Sequence, residues 1–442
     1  MINPREGDMS GASVPMSDAS FPSPHKSGLE YGTPARGVWN IVHTGMLIPE
    51  SHQIFVCAQG CLRGVVLTAA EMNASDRFST IAVCENNVLE GDMEALIIDG
   101  TEDILKKLPK MPKAVLIFTS CIHKFMACDL DFVYSKLREK FPCVDFTDCY
   151  MTPIMRKTWI SPDSKMRSQL YSLLKPAAKD KKSVNIIGNN YPTYDSSDFI
   201  TMLRGGNYTI KDICGCKSYS EYQKMAQSAT NIVYTPAAHP AAEALKERLG
   251  QDYIYIPLSY GSGEIIDSLK LMAETFSLHM PDIENMKAKA EESMAETASL
   301  LKDTPVAIDY TATSRPLGLA RLLLSYGIKV RSVYADVFIQ EEKEDFEWLK
   351  KNHGNLKLYA TLHPKMGMIS RTEALEEDGI MLAIGQKAAY FTGTSHFVNI
   401  LEGGGLYGFD GICKISEMIR DAYLNEKDTK SIIQVKGWGC CS

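Results

Sequence analysis

Lys113-Ala-Val-Leu-Ile-Phe-Thr-Ser-Cys121 is nearly continuously apolar. A run of that kind suits a strand covered on both faces, and such strands are the inner members of parallel sheets. The segment is therefore expected to be a central parallel strand that delivers a cysteine to its carboxyl end. Outward from it, short β-branched runs alternate with helical stretches from Gly37 onward. The strand pattern restarts at Val184-Asn-Ile-Ile-Gly188, after the polar stretch Lys179-Asp-Lys-Lys-Ser183, which reads as a linker. Thr230-Asn-Ile-Val-Tyr-Thr235 then leads through Pro236 and His239-Pro240 into a helix closed by Gly250. Proline in the first turn and glycine just past the end bracket that helix. Tyr253-Ile-Tyr-Ile-Pro257 supplies the next strand and completes a βαβ unit.

The Ala-, Glu-, Lys- and Met-rich stretch 283–302 has few breakers and reads as one helix crossing between units. Beyond it the module returns. Val306-Ala-Ile-Asp-Tyr310 is a strand, Pro316 opens a helix closed by Gly327, and strands follow at 329–335, 356–362 and 380–384. The pattern predicts an α/β fold of three doubly wound, Rossmann-like domains with mainly parallel sheets, at 37–180, 181–282 and 303–425. Residues 283–302 connect the last two, and 426–442 form a C-terminal tail. The Ser-, Pro- and Gly-rich residues 1–36 are given no fold, because they cannot bury enough apolar surface to offset ordering entropy.

Length agrees with several domains, since 442 residues exceed what one core usually organises. With 45% hydrophobic and 23% charged residues the composition is that of a soluble globular chain, and no apolar run approaches a membrane span. A net charge of -7, from 47 basic and 54 acidic residues, argues against nucleic acid as the main partner. The N-terminal stretch lacks the apolar core of a secretory signal, so a cytoplasmic, reducing setting is expected for the twelve cysteines. In that setting spaced cysteines are buried small hydrophobes, metal ligands or nucleophiles rather than disulfides.

The usual cofactor motifs are missing. Gly261-Ser-Gly263 begins a dinucleotide fingerprint, but the third glycine position holds Ile266. There is no phosphate-binding Gly-x-x-x-x-Gly-Lys-Ser/Thr loop, no Gly-x-Ser-x-Gly elbow and no His-Glu-x-x-His helix. What stands out is cysteine near strand ends. Cys121 closes the apolar strand, and Cys57 and Cys61 form a Cys-x3-Cys pair in Phe55-Val-Cys-Ala-Gln-Gly-Cys61. Thiolates ligate iron-sulfur clusters, and a neighbouring glycine lets backbone approach the inorganic sulfides.

These segments, taken together, resemble a family. Gln59-Gly-Cys61, Val88-Leu-Glu-Gly-Asp92, Thr119-Ser-Cys121-Ile with Asp129, and Asp148-Cys149 followed by Pro153 look like the first domain of nitrogenase component 1 subunits and their nitrogenase-like relatives. The stretch from Val184 to Pro257, and that from Val306 to Gly408-Phe-Asp-Gly411, resemble the family's second and third units in order and spacing.

The resemblance implies that Cys61 and Cys121 ligate an inter-subunit iron-sulfur cluster, 4Fe-4S or larger, with Cys57 as a third candidate. It implies a related component 1 subunit as partner in a homo- or heterodimer or tetramer. It also implies a separate ATP-dependent iron-sulfur reductase, component 2, that feeds electrons to the cluster, in an anaerobic cytoplasm. Where the family carries a further upstream cysteine, this chain reads Val38-Trp-Asn-Ile-Val-His43, so either Cys57 replaces it or the chain offers fewer thiolates. Thr235 stands where the nitrogenase α subunit holds its catalytic cofactor with cysteine, and His396 is offset from the position of that cofactor's histidine ligand. The resemblance therefore does not extend to an ordinary iron-molybdenum cofactor, and any second metallocofactor is unidentified.

His239, in the turn before Pro240, could face the sheet's carboxyl edge as a proton donor or ligand, or cap the helix. His396, near Gly403-Gly-Gly405, is a candidate for lining a pocket. Arg315, at a helix start, would suit an anionic substrate or a surface salt bridge. An assembly scaffold that holds a cofactor precursor, and a partner subunit of a catalytic paralogue, are the alternatives to an electron-relaying enzyme.

Overall fold

The computed structural model describes residues 11–25, 28, 41–151, 161–368, 380–429 and 431–432. Pro153, Cys440, Cys441 and residues 38–40 lie outside them. The chain forms two compact units, Trp39–Asn190 with Asn207–Pro257, and the remaining segments, which include Leu258–Ser442.

Strand β1 (Ser13–Pro15) belongs to the second unit and is taken up with it below. The first unit holds two four-stranded sheets. In the first sheet β2 (Ser51–Ala58), β3 (Phe78–Val83), β4 (Ala114–Ser120) and β5 (Asp145–Met151) are ordered β3-β2-β4-β5, all parallel. All seven residues of β4 are buried, as its apolar run requires. Ile54, Val56, Val115 and Ile117 pack on one face with Ile97, Val133 and Leu137. Phe55, Cys57, Leu116 and Phe118 pack on the other with Leu62 and Val65. Fully burying one such side chain contributes about 1.5–3 kcal/mol. Phe55 and Phe118 stack across the ladder with ring centroids 4.1 Å apart.

The second sheet has β6 (Asp180–Ile187), β7 (Thr209–Asp212), β8 (Ser228–Val233) and β9 (Asp252–Tyr255) in the order β7-β6-β8-β9, again parallel. The polar stretch read as a linker is in fact the start of β6, its first three residues exposed. Asn185 and Asn231 face each other at the centre of this sheet, where the buried Asn185 Nδ2 donates to Asn231 Oδ1 at 2.8 Å and to Met225 O at 3.0 Å. The helix His239–Leu249 ends where Gly250 takes φ +65°, the left-handed cap that its sequence position anticipated.

The second unit holds a six-stranded sheet built from β1, β10 (Val306–Asp309), β11 (Val330–Tyr334), β12 (Lys357–Tyr359), β13 (Leu382–Ile384) and β14 (Phe397–Val398), ordered β1-β12-β11-β10-β13-β14. All pairs are parallel except β1 with β12. The short strand Ser13–Pro15 lies within the tail that the sequence left without a fold. It completes the sheet edge, and Ala12, Met16 and Ala19 are buried beside it. The strand is three residues long and its partner lies more than 300 positions away, so the composition of the tail could not reveal it.

The helix Ile283–Leu301, expected to connect units, packs along the helix Gly408–Leu424. Arg420 Nη1 donates to Ser293 O and Thr297 Oγ1, each at 2.8 Å, and Ser416 packs against Met294. The helix Asp198–Gly205 also belongs to this unit. Asp198 Oδ2 accepts from Phe409 N at 2.5 Å, and Ser197 donates to Tyr407 O. The unit boundaries therefore differ from the expected 181–282 and 303–425, because bonds between residues some 200 positions apart assign that helix.

Candidate functional site

In the first sheet the chain places β3 on one side of β2 and β4 on the other, so the carboxyl ends of β2 and β4 flank a topological switch point. Open α/β sheets bind ligands in that crevice. The strand β2 runs straight into the helix Gln59–Glu71, and β4 into the helix Cys121–Phe125. Cys61 is thus the third residue of one helix and Cys121 the first of the other, on two adjacent strands. Cys61 is exposed, Cys121 half-buried and Cys57 fully buried in β2. Burial, with smaller contributions from Cys61 and Cys121, pushes the Cys57 thiol up to about 12, so the three sulfurs share one electrostatic neighbourhood. A Cβ added at Gly60 or Gly64 would meet nothing within 4 Å, which leaves the helix start at Cys61 open to approach.

Among the described residues no group of three or more His, Cys, Asp or Glu side chains could hold a metal ion. The three cysteines are therefore neighbours without forming a self-contained cage. Cys61 and Cys121, the more accessible two, have the thiol donor chemistry that iron-sulfur ligation uses. Cys57 lies buried in β2 close to both, and in the metal-free chain its burial favours the neutral thiol. The buried Cys149, the next strand over, is likewise held far above the usual thiol range by burial.

Sequence reasoning missed His123. Ser120 closes β4 and caps the following helix in a reciprocal box, with Ser120 N donating to His123 Nδ1 at 3.2 Å. His123 is 2% exposed, and burial pulls its pKa below the usual imidazole value. The signal was a serine followed three residues later by a side chain able to reach back, the spacing of a capping box.

The remaining predicted residues each have partners of their own. His239 opens the helix His239–Leu249 and packs its ring against Tyr255, with centroids 4.6 Å apart. It makes no side-chain cap, because Ala238 is the cap residue. His396 Nδ1 lies 3.0 Å from Ala422 O and Nε2 lies 3.7 Å from Glu426, so the ring ties the end of the last helix to β14. Arg315 is buried, bonded to Glu264 at 2.7 Å, to Asp345 at 2.9 Å and to the carbonyls of Leu258 and Glu341. Its charge is met within the protein. Thr235 stands at the cap position of the short turn Pro236–Ala238 without a side-chain cap bond, just past β8 at the switch point of the second sheet.

The family model for nitrogenase component 1 type oxidoreductases matches residues 42–400. The chain belongs to this family. No curated protein matches it. Among solved structures it is similar to nitrogenase Cp1 at pH 6.5, with 14% identity and a TM-score of 0.66 over 90% of this chain and 94% of that one. It is also similar to nitrogenase Cp1 at pH 5, with 14% identity and a TM-score of 0.62 over 98% and 96%. At that identity the structures speak for the fold, the α/β architecture of the component 1 family.

Proposed function

We propose that this family member is one subunit of a nitrogenase-like two-component reductase, relaying electrons from an ATP-driven iron-sulfur reductase toward a substrate across an interface with a related chain. The observation that carries the reading is the pair Cys61 and Cys121, accessible at the carboxyl ends of adjacent parallel strands and short of a full ligand set within one chain. An iron-sulfur cluster of 4Fe-4S size or larger, held there by the two thiolates and by ligands from the partner, would supply one-electron redox chemistry. The chain's own contribution is placement. Two helices beginning at the sheet rim present the thiols outward, while Phe55, Phe118 and Cys57 close the apolar floor beneath them. Low-potential clusters are oxygen sensitive, which points to an anaerobic cytoplasm.

A second reading, a scaffold that holds a metallocofactor precursor without turnover, is favoured by Thr235 at a position where the family's catalytic subunit has cysteine. Reduction of the co-purified assembly by a component 2 reductase separates the two. ATP-dependent electron uptake followed by re-oxidation of the assembly as an added substrate is reduced supports the reductase. Uptake that never turns over supports the scaffold, and the absence of any uptake removes the electron-relay function.

A further inference from the structure

A cleft of about 340 Å³ opens at the carboxyl ends of β4 and β5, next to the thiols and outside the role proposed for them. Its wall includes Ser120, His123, Lys124, Tyr150 and Lys165, and among the described residues lining it none is Asp or Glu. Because Ser120 N donates to His123 Nδ1, the ring proton of the neutral imidazole sits on Nε2. That Nε2 is buried and has no hydrogen-bond partner, although His123 is only 2% exposed. A buried donor without an acceptor is costly, and a ligand oxygen is one way to satisfy it.

The cationic side of the cleft is similarly arranged. Lys165 Nζ stands 3.8 Å from the centroid of the Tyr150 ring. Tyr150 is fixed in turn, since its hydroxyl donates to Asp148, whose other oxygen accepts from Gln169 at 2.8 Å. Asp148 is therefore already bonded, Glu94 behind His123 and Cys128 accepts from Asp129 N at 2.7 Å, and Lys124 and Lys165 line a cavity whose described wall residues include no carboxylate. The volume falls within the range of small-molecule sites.

We infer that this cleft binds a small organic oxyanion, a carboxylate or a phosphate ester, paired to Lys124 and Lys165 and accepting from His123 Nε2. This goes beyond the electron-relay reading and does not rest on it, because the binding needs no iron. The test is calorimetric titration of the full chain with succinate and, separately, with inorganic phosphate, against sodium chloride at matched ionic strength. Saturable binding of at least one probe is expected, with Kd roughly millimolar or tighter. The double variant Lys124→Gln with Lys165→Gln should weaken it at least about tenfold, and His123→Gln should weaken it as well. Preference for succinate or for phosphate identifies the anion chemistry. Binding no better than chloride, or a double variant that binds as the wild type does, overturns the inference. Iron content of the double variant, expected unchanged, keeps failure here distinct from failure of the thiol site.

Discussion

Cys57 lies one residue beyond Val56, which pairs with Thr119, so its sulfur sits one strand over from Ser120-Cys121 and feels the charge of Cys121. The buried thiol and the rim thiol serve different ends. Cys57→Ala should lower stability by about 1–2 kcal/mol, because it leaves a cavity in the buried cluster that also holds Phe55 and Phe118. Cys57→Ser should cost about 1–3 kcal/mol, because it buries a hydroxyl there. Cys61→Ala, at an exposed position, should stay within about 0.5 kcal/mol. Urea unfolding of the three variants reads this directly, and equal losses at Cys57 and Cys61 would contradict the assignment.

Arg315 is predicted to be structural. Its guanidinium joins Glu264, Asp345 and two backbone carbonyls, and Asp345 is itself nearly buried and also bonded to Arg321 at 3.0 Å. Arg315→Met leaves the nearly buried Asp345 with Arg321 alone and takes the donors from two backbone carbonyls, and should destabilise the protein by about 3 kcal/mol. Lysine, lacking the planar fork, should recover less than half of that. The thermal midpoint is the measurement, and a neutral Arg315→Met variant would return this residue to the list of ligand-binding candidates.

Glu342 gives the stability a pH dependence. Its carboxyl accepts from Leu317 N at 2.7 Å, but its second oxygen is buried without a partner, and burial raises its pKa from 4.5 to about 8. Below about 4.5 the group is protonated whether the chain is folded or not. As pH climbs from there toward about 8, the unfolded chain ionises and the folded one does not, so this group's contribution to stability falls through that window. Glu342→Gln keeps the acceptor and removes the titration. The variant should match the wild type near pH 4 and exceed it near pH 8, as read by denaturant midpoints at both values.

Gly385 is required by its neighbour. It has φ +109°, and a Cβ there would stand 2.3 Å from Asp309 Oδ2. That oxygen accepts from Ala388 N at 2.6 Å and so ties β10 to the helix Gln386–Thr392. Gly385→Ala should cost more than about 2 kcal/mol or prevent folding, whereas Gly205→Ala, with open space at its Cβ, should be nearly neutral. Soluble yield and thermal midpoint of the two variants report the contrast.

The parallel sheets were legible because burial on both faces writes itself into continuous apolar runs such as Ala114–Ser120, and because Gly250 and Pro316 mark helix ends whatever surrounds them. The two rim cysteines could be picked out for the same reason: they follow strands. Long-range pairing left no local trace. Nothing near Asp198 announces that it will receive Phe409 N, and nothing near Ser13 announces Tyr359 as its partner. The sequence leaves Arg315 between an anion site and a surface salt bridge and His396 as a pocket-lining candidate, since their partners Ala422, Glu264 and Asp345 lie 26 to 51 residues away. His123 escaped for the opposite reason, a local cap whose reciprocal partner is a histidine rather than the usual Glu or Gln.

The most direct test is iron and acid-labile sulfide analysis, with electron paramagnetic resonance, on the assembly purified without oxygen together with its related chain. The wild type should carry both elements and a cluster signal, and Cys61→Ala and Cys121→Ala should each lose most of them while remaining folded. Iron and signal unchanged in both variants, or a wild-type assembly without bound iron, would contradict the account.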